Sequence, residues 1–198
     1  MSKSYYEASI NRFPSKYWHR MIINNAKFMI QKYNISSPLL DLGCGDGVRT
    51  RLIFDKDFVV HGVDNDPEMI EFARRRLDKV YLGNMEDPPP EILNNKYGTI
   101  LIMESLEHVR NPEKVLRLAN ELLTDDGVLL VIVPLNTLLF RLIWWIWTRT
   151  MGKKWKHLHI HNFKSPKQLF TLLERWFRVV EYKRTNFGCI LIAICKKR

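Results

Sequence analysis

Three cysteines, Cys44, Cys189 and Cys195, are too few to staple a chain of 198 residues. Cys189 and Cys195 lie six residues apart on one extended run, on the order of 20 Å at strand rise, so they cannot pair. A disulfide scaffold is excluded, and a reducing, cytoplasmic setting is the expectation. A long uninterrupted apolar run is also missing. The most apolar stretch, Val128 to Phe140, is broken by Pro134 and Asn136 and followed by Arg141, short of the roughly 18 uncharged residues of a spanning helix. The amino terminus, MSKSYYEASINRF, has no apolar run leading to a small-residue cleavage site, so no signal peptide is expected. Acid is scarce in one place. Residues 1–134 hold 17 Lys+Arg against 19 Asp+Glu, whereas residues 135–198 hold 14 against 2, so the chain's +10 comes entirely from a last third at +12.

What is present suffices for one globular domain. With 46% hydrophobic and 12% aromatic residues, the chain is too apolar to be disordered and can close a full core. Leu39–Leu42, Phe58–Val63, Val80–Leu82, Thr99–Met103 and Val128–Val133 are short apolar runs of buried-strand length. Between them run helical stripes, Met69, Ile70, Phe72, Ala73 and Leu77 in one, Val115, Leu116, Leu118, Ala119, Leu122 and Leu123 in another. Asp66-Pro67, Asn111-Pro112 and Ser165-Pro166 are helix starts, and Ser165 with Gln168 fits a capping box. Asp125-Asp126-Gly127 supplies a turn. Phe177–Arg184 and Gly188–Lys196 read as an antiparallel hairpin. The sum is an α/β fold: a Rossmann-like, seven-stranded, mostly parallel sheet with helices on both faces and a C-terminal antiparallel hairpin. Ligands of such sheets bind at the carboxyl ends of the strands, where the strand order reverses.

The chemistry should therefore lie after the first two strands. The first ends in Leu39-Leu40-Asp41-Leu42-Gly43-Cys44-Gly45-Asp46-Gly47, whose alternate glycines let the backbone turn tightly and approach a ligand. The second ends in Asp64, 23 residues beyond Asp41 and near the offset at which an acid reaches a ribose diol. The spacing is GxGxG and no P-loop lysine follows, so a pyrophosphate ligand is not favoured. Cys44 needs only to be small there, and is read as filler.

LLDLGCGDG, GVDNDPEMIEFAR, LGNMEDPPP and the run from Ile100 to Pro134 together resemble the class I S-adenosylmethionine-dependent methyltransferases of the type 11/23 kind, over roughly residues 38–134. The resemblance implies that Asp41 and the backbone of Gly43 and Gly45 hold the methionine part of S-adenosylmethionine and that Asp64 takes the ribose hydroxyls. It implies that Asn84 and Met85 border the adenine and that Met103 ends the fourth strand beside the cofactor. Many relatives carry Asp at the place of Asn84, so contact with the adenine amino group would use the amide oxygen. Arg20 resembles an upstream arginine that some relatives point at the cofactor carboxylate; a surface arginine on an amphipathic first helix is the other reading. The implied layout is a helical cover over residues 1–37, a cofactor core over 38–134, an aromatic and basic acceptor cover over 135–164, and a helix with the hairpin over 165–198.

Glu104-Ser105-Leu106-Glu107-His108 follows the fourth strand, where an acceptor would meet the methyl group. In a helical turn Glu104, Glu107 and His108 would share one face. Two carboxylates and an imidazole suit a divalent cation, catalysis with His108 or His161 as general acid or base, or simple capping of the turn. The E-x-x-E-H pattern resembles both ubiquinone-pathway O-methyltransferases and small-RNA terminal 2′-O-methyltransferases. His161, in His159-Ile160-His161-Asn162-Phe163, resembles the segment that gives the latter a further metal ligand, and His157 stands nearby. Two acceptor classes stay open: a small or lipid-like molecule, with peripheral contact to an anionic membrane, or RNA, which the basic last third and its aromatics would also suit. A partner protein that binds the cofactor without catalysis is the third reading. Ile143, Trp144, Ile146 and Trp147, flanked by Arg141, Arg149, Lys153, Lys154 and Lys156, are the expected membrane face, and a buried helix with solvated lysines around it is the other reading.

Overall fold

The computed structural model describes residues 4–150 and 163–198. His157, His159 and His161 lie outside them, as do Lys153, Lys154 and Lys156. Two helices, α1 (Tyr5–Asn11) and α2 (Ser15–Ile30), precede the sheet. There follow β1 (Leu39–Leu42), α3 (Val48–Ile53), β2 (Val60–Asp64), α4 (Pro67–Ala73), β3 (Lys79–Leu82), α5 (Pro90–Leu93) and β4 (Tyr97–Met103). A 3-10 turn at Leu106–His108 leads through α6 (Pro112–Leu122), β5 (Leu123–Pro134), α7 (Leu138–Thr150) and α8 (Pro166–Leu173) to β6 (Phe177–Thr185) and β7 (Ile190–Lys197).

The strands lie in the order β3-β2-β1-β4-β5-β7-β6. The first five are parallel, and β7 runs antiparallel to both β5 and β6. Order reverses between β1 and β4, which opens a crevice at their carboxyl ends. Strand periodicity divides the core. Along β4, Ile100 and Ile102 pack in one cluster with Leu116 of α6 and Leu169 of α8, while Leu101 and Met103 pack in the other with Ile22 and Met29 of α2.

Helix starts form as the caps dictate. Asp66 accepts from the N–H groups of Glu68 and Met69, and Asn111 from that of Lys114. The capping box at Ser165 does not form: Gln168 Oε1 instead accepts the Lys164 N–H at 2.6 Å, and the Ser165 side chain makes no cap bond. β5 begins five residues earlier than expected, because Leu123 pairs with Tyr97. The register then shifts, leaving Thr124, Asp125 and Asp126 exposed as a bulge before Val128 resumes pairing with Thr99.

The exposed face of α7 is only in part the expected one. Trp144 stacks on Phe140, which is buried, and Trp147 packs on Trp144 at 4.9 Å between ring centroids. Of the expected face Ile146 is exposed, joined by Leu138, Leu142 and Trp145, with Arg149 4.1 Å over the Trp145 ring. Helix rotation explains the change: Phe140, Trp144 and Trp147 follow one another at four- and three-residue spacing and so turn one stripe inward, Phe140 buried and the two tryptophans half-buried. Among the described residues, no helix is long and apolar enough to cross a membrane.

Candidate active site

The loop after β1 is tied to β2 by its own backbone. The N–H groups of Gly43 and Cys44 both donate to the Val63 carbonyl, at 2.9 and 3.0 Å. Gly43 has φ +82°, and a Cβ there would stand 2.5 Å from Ser105 Cβ and 2.7 Å from Met85 Cε. Only glycine closes this turn without strain. The Ser105 hydroxyl donates to the Leu42 carbonyl at 2.8 Å, so the segment after β4 braces the same turn. Cys44 is buried, with its thiol pushed well above the usual range by burial, which suits filler and not a nucleophile.

Two carboxyl groups border the turn. Asp64 Oδ2 accepts the Gly45 N–H at 2.8 Å and its Oδ1 the Asp66 N–H at 3.0 Å. Burial raises its pKa, and these backbone donors act in the opposite direction. Each oxygen keeps a second lone pair for a hydroxyl donor. Asp41 is fully buried. Its Oδ2 accepts from the Thr50 hydroxyl, while Oδ1 has no hydrogen-bond partner among the described residues. Burial lifts its pKa to about 7. A positive-φ cradle, an unmet buried carboxyl oxygen and a second carboxylate 23 residues on fit the amino-acid and ribose parts of S-adenosylmethionine.

The other expected cofactor residues divide. Met103 ends β4 buried, and half-buried Met85 packs against Gly43. Asn84 is exposed, and its amide oxygen accepts the Glu86 N–H at 2.9 Å. Arg20 is exposed on α2. The crevice also holds residues that the sequence pattern does not single out. Arg49 forms an ion pair with Glu104, Tyr6 of α1 stacks on Arg49, and the Ser4 hydroxyl donates to Asp46. Arg49 sits in the first turn of α3, where a charge conventionally faces solvent, so periodicity carries no signal of its burial.

The helical face of Glu104, Glu107 and His108 does not form. Glu104 takes φ +49° and stands before the 3-10 turn, pointing its carboxylate at Arg49. Glu107 is 2% exposed, its pKa raised well above the carboxylate range by burial, and His108 Nε2 lies 3.9 Å from its Oε1. His108 itself is exposed. Among the described residues, no three His, Cys, Asp or Glu side chains gather as a metal site. The expected divalent-cation set is corrected for its described members, because Glu104 is committed to the Arg49 guanidinium and only Glu107 and His108 stay close together; His161, its fourth member, lies outside the described residues.

A family model described as a methyltransferase domain matches residues 14–180. The chain belongs to that family. Its sequence is 28% identical over 113 residues to the ubiquinone biosynthesis O-methyltransferase of Actinobacillus pleuropneumoniae serotype 5b, covering 52% of this chain and 48% of that one. It is 35% identical over 99 residues to (S)-coclaurine N-methyltransferase of Thalictrum flavum subsp. glaucum, covering 47% of this chain and 27% of the relative. This chain thus spans about half, or less, of the length of these curated relatives. Among solved structures, an S-adenosylmethionine-dependent methyltransferase of Thermotoga maritima, described as a possible histamine N-methyltransferase, superposes with TM-score 0.67 at 19% identity, over 96% of this chain and 99% of that one. Magnesium protoporphyrin IX methyltransferase of Synechocystis, with bound S-adenosylhomocysteine, gives 0.69 at 12% identity, over 100% and 90%. At such identities the two structures speak for the Rossmann-like methyltransferase fold. S-adenosylmethionine is the cofactor that the family and the site geometry support together.

Proposed function

We propose that this methyltransferase domain transfers the methyl group of S-adenosylmethionine to an oxygen of a small, lipophilic acceptor held at an anionic membrane surface. The observation that carries the first half is the closed turn at Gly43 bordered by Asp41 and Asp64. When bound, the cofactor supplies a sulfonium-activated methyl group. Asp64 holds the ribose, Asp41 and the loop backbone hold the amino-acid part, and buried Met103 excludes water from the floor. His108, beyond the end of β4 and beside Glu107, is the base that would take the acceptor hydroxyl's proton. Alignment of the two reacting atoms supplies much of the rate.

The acceptor half rests on the segment after β5. The carboxyl end of that strand passes through Pro134 and Leu135 into α7, which presents Leu142, Trp145 and Ile146 outward between Arg141 and Arg149, with exposed Leu138 one turn before them. Apolar insertion flanked by arginines, in a last third of net charge +12, matches an anionic lipid interface. The O-methyltransferase relative favours oxygen as the methylated atom.

The test offers isotope-labelled S-adenosylmethionine with separate lipid, RNA, protein and small-molecule extracts. Label in the lipid or small-molecule fraction, as a base-stable ether, is the expected result. Label confined to RNA would replace the acceptor by a nucleic acid while leaving the cofactor site intact.

A further inference from the structure

Arg49 is a buried cation to which the methyl-transfer chemistry assigns no role. It is 8% exposed, and the only hydrogen bond its guanidinium donates among the described residues goes to Glu104. A guanidinium carries five N–H donors, and no Arg49 nitrogen is both fully enclosed and without a partner, so the donors that Glu104 does not take remain accessible. The Tyr6 ring covers one face of it, 4.6 Å from centroid to the guanidinium carbon. The same ring lies against the glycine turn, where a Cβ on Gly45 would stand 3.3 Å from Tyr6 Cε2. Arg49 therefore spans from the turn after β1 to the end of β4, over the place where the cofactor's amino-acid end belongs.

The charge around it points the same way. Asp41, Asp46 and Glu104 all lie within electrostatic reach of Arg49, and Asp64 within reach of Tyr6. Such an acidic crevice attracts the sulfonium and the ammonium of S-adenosylmethionine but repels its carboxylate, unless a cation meets that group. Arg76 does not serve, because its guanidinium is engaged by Glu7, the Phe72 carbonyl and the Asp46 carbonyl. Arg20 points to solvent from α2. His19 is held neutral, its pKa lowered to about 4 by burial and by Arg49 itself.

We infer that Arg49 is the receptor for the carboxylate at the amino-acid end of the cofactor, held in place by Glu104 and covered by Tyr6. The inference rests on the assignment of the crevice to S-adenosylmethionine. A planar guanidinium with one edge on Glu104 retains N–H groups for a second carboxylate, which a lysine could not present in the same fork.

Calorimetric titration with three ligands tests it. S-adenosylhomocysteine has the amino-acid end; 5′-methylthioadenosine shares the adenosine and thioether but lacks that end; decarboxylated S-adenosylhomocysteine lacks only the carboxylate. Arg49→Met should weaken S-adenosylhomocysteine at least tenfold and leave the other two within about twofold. Tyr6→Leu should narrow the preference for S-adenosylhomocysteine over methylthioadenosine, and Tyr6→Phe should retain it. Equal weakening of all three ligands by Arg49→Met, or no weakening of any, overturns the assignment. Should that variant fail to fold, the wild type alone decides: it should bind the decarboxylated ligand at least tenfold more weakly than S-adenosylhomocysteine, and equal affinities overturn the role of Arg49. A wild type that binds none of the three overturns the cofactor reading as well.

Discussion

Asp41→Asn should make the stability of the ligand-free protein less dependent on pH. Burial raises the Asp41 carboxyl from an ordinary value near 3.8 to about 7, against the opposing effects of the Thr50 hydroxyl and Arg49. The folded protein therefore holds this proton over a pH range in which the unfolded chain has released it. The associated stability is fully present below about pH 4 and is lost as the pH rises toward 7. At roughly 1.4 kcal/mol per pH unit, a window of about 3 units corresponds to about 4 kcal/mol. Asparagine keeps the shape and does not titrate. Urea unfolding of both proteins from pH 4 to 8 gives the difference in stability directly, and other titrating groups cancel in the comparison. The variant should match the wild type near pH 4 and exceed it by several kcal/mol at pH 8. A difference that stays constant across the range would refute the buried, protonated Asp41.

Asp64→Asn should weaken S-adenosylhomocysteine by roughly 10- to 150-fold, the equivalent of about 1.5–3 kcal/mol for a lost charge-assisted bond, as read by calorimetry. Gly43→Ala, placed at φ +82° and 2.5 Å from Ser105 Cβ, should destabilise by about 1–3 kcal/mol and abolish ligand binding; a normal melting curve with full affinity contradicts the tight turn. Leu142→Ser with Trp145→Ser should release the protein from anionic vesicles in flotation without changing affinity for S-adenosylhomocysteine, and raised salt should weaken the wild type's attachment. Retention of the double variant on vesicles would remove α7 from the interface.

The parts of the fold legible in the sequence were those that local chemistry determines. β1 is four apolar-lined residues between Pro38 and a glycine turn, and the Asp66 and Asn111 caps bond as their side chains dictate. The GxGxG spacing and Asp64 were legible because both belong to one strand-turn-helix-strand unit. Contacts set by the packing of distant elements were not. Glu104 and Arg49 are 55 residues apart, and their pairing depends on β1 and β4 being sheet neighbours. Once that pairing forms, the face expected for Glu104, Glu107 and His108 cannot. In α7 every candidate position was apolar, so only the stacking of Trp144 on Phe140 decides which stripe turns inward.

The most direct measurement is a crystal structure of the chain grown with S-adenosylhomocysteine. The ribose hydroxyls should lie within hydrogen-bond distance of Asp64, the thioether beside Met103, and the amino-acid end between Asp41 and Arg49. Ligand bound elsewhere, or an empty crevice at saturating ligand with the Gly43 turn intact, would contradict the cofactor site.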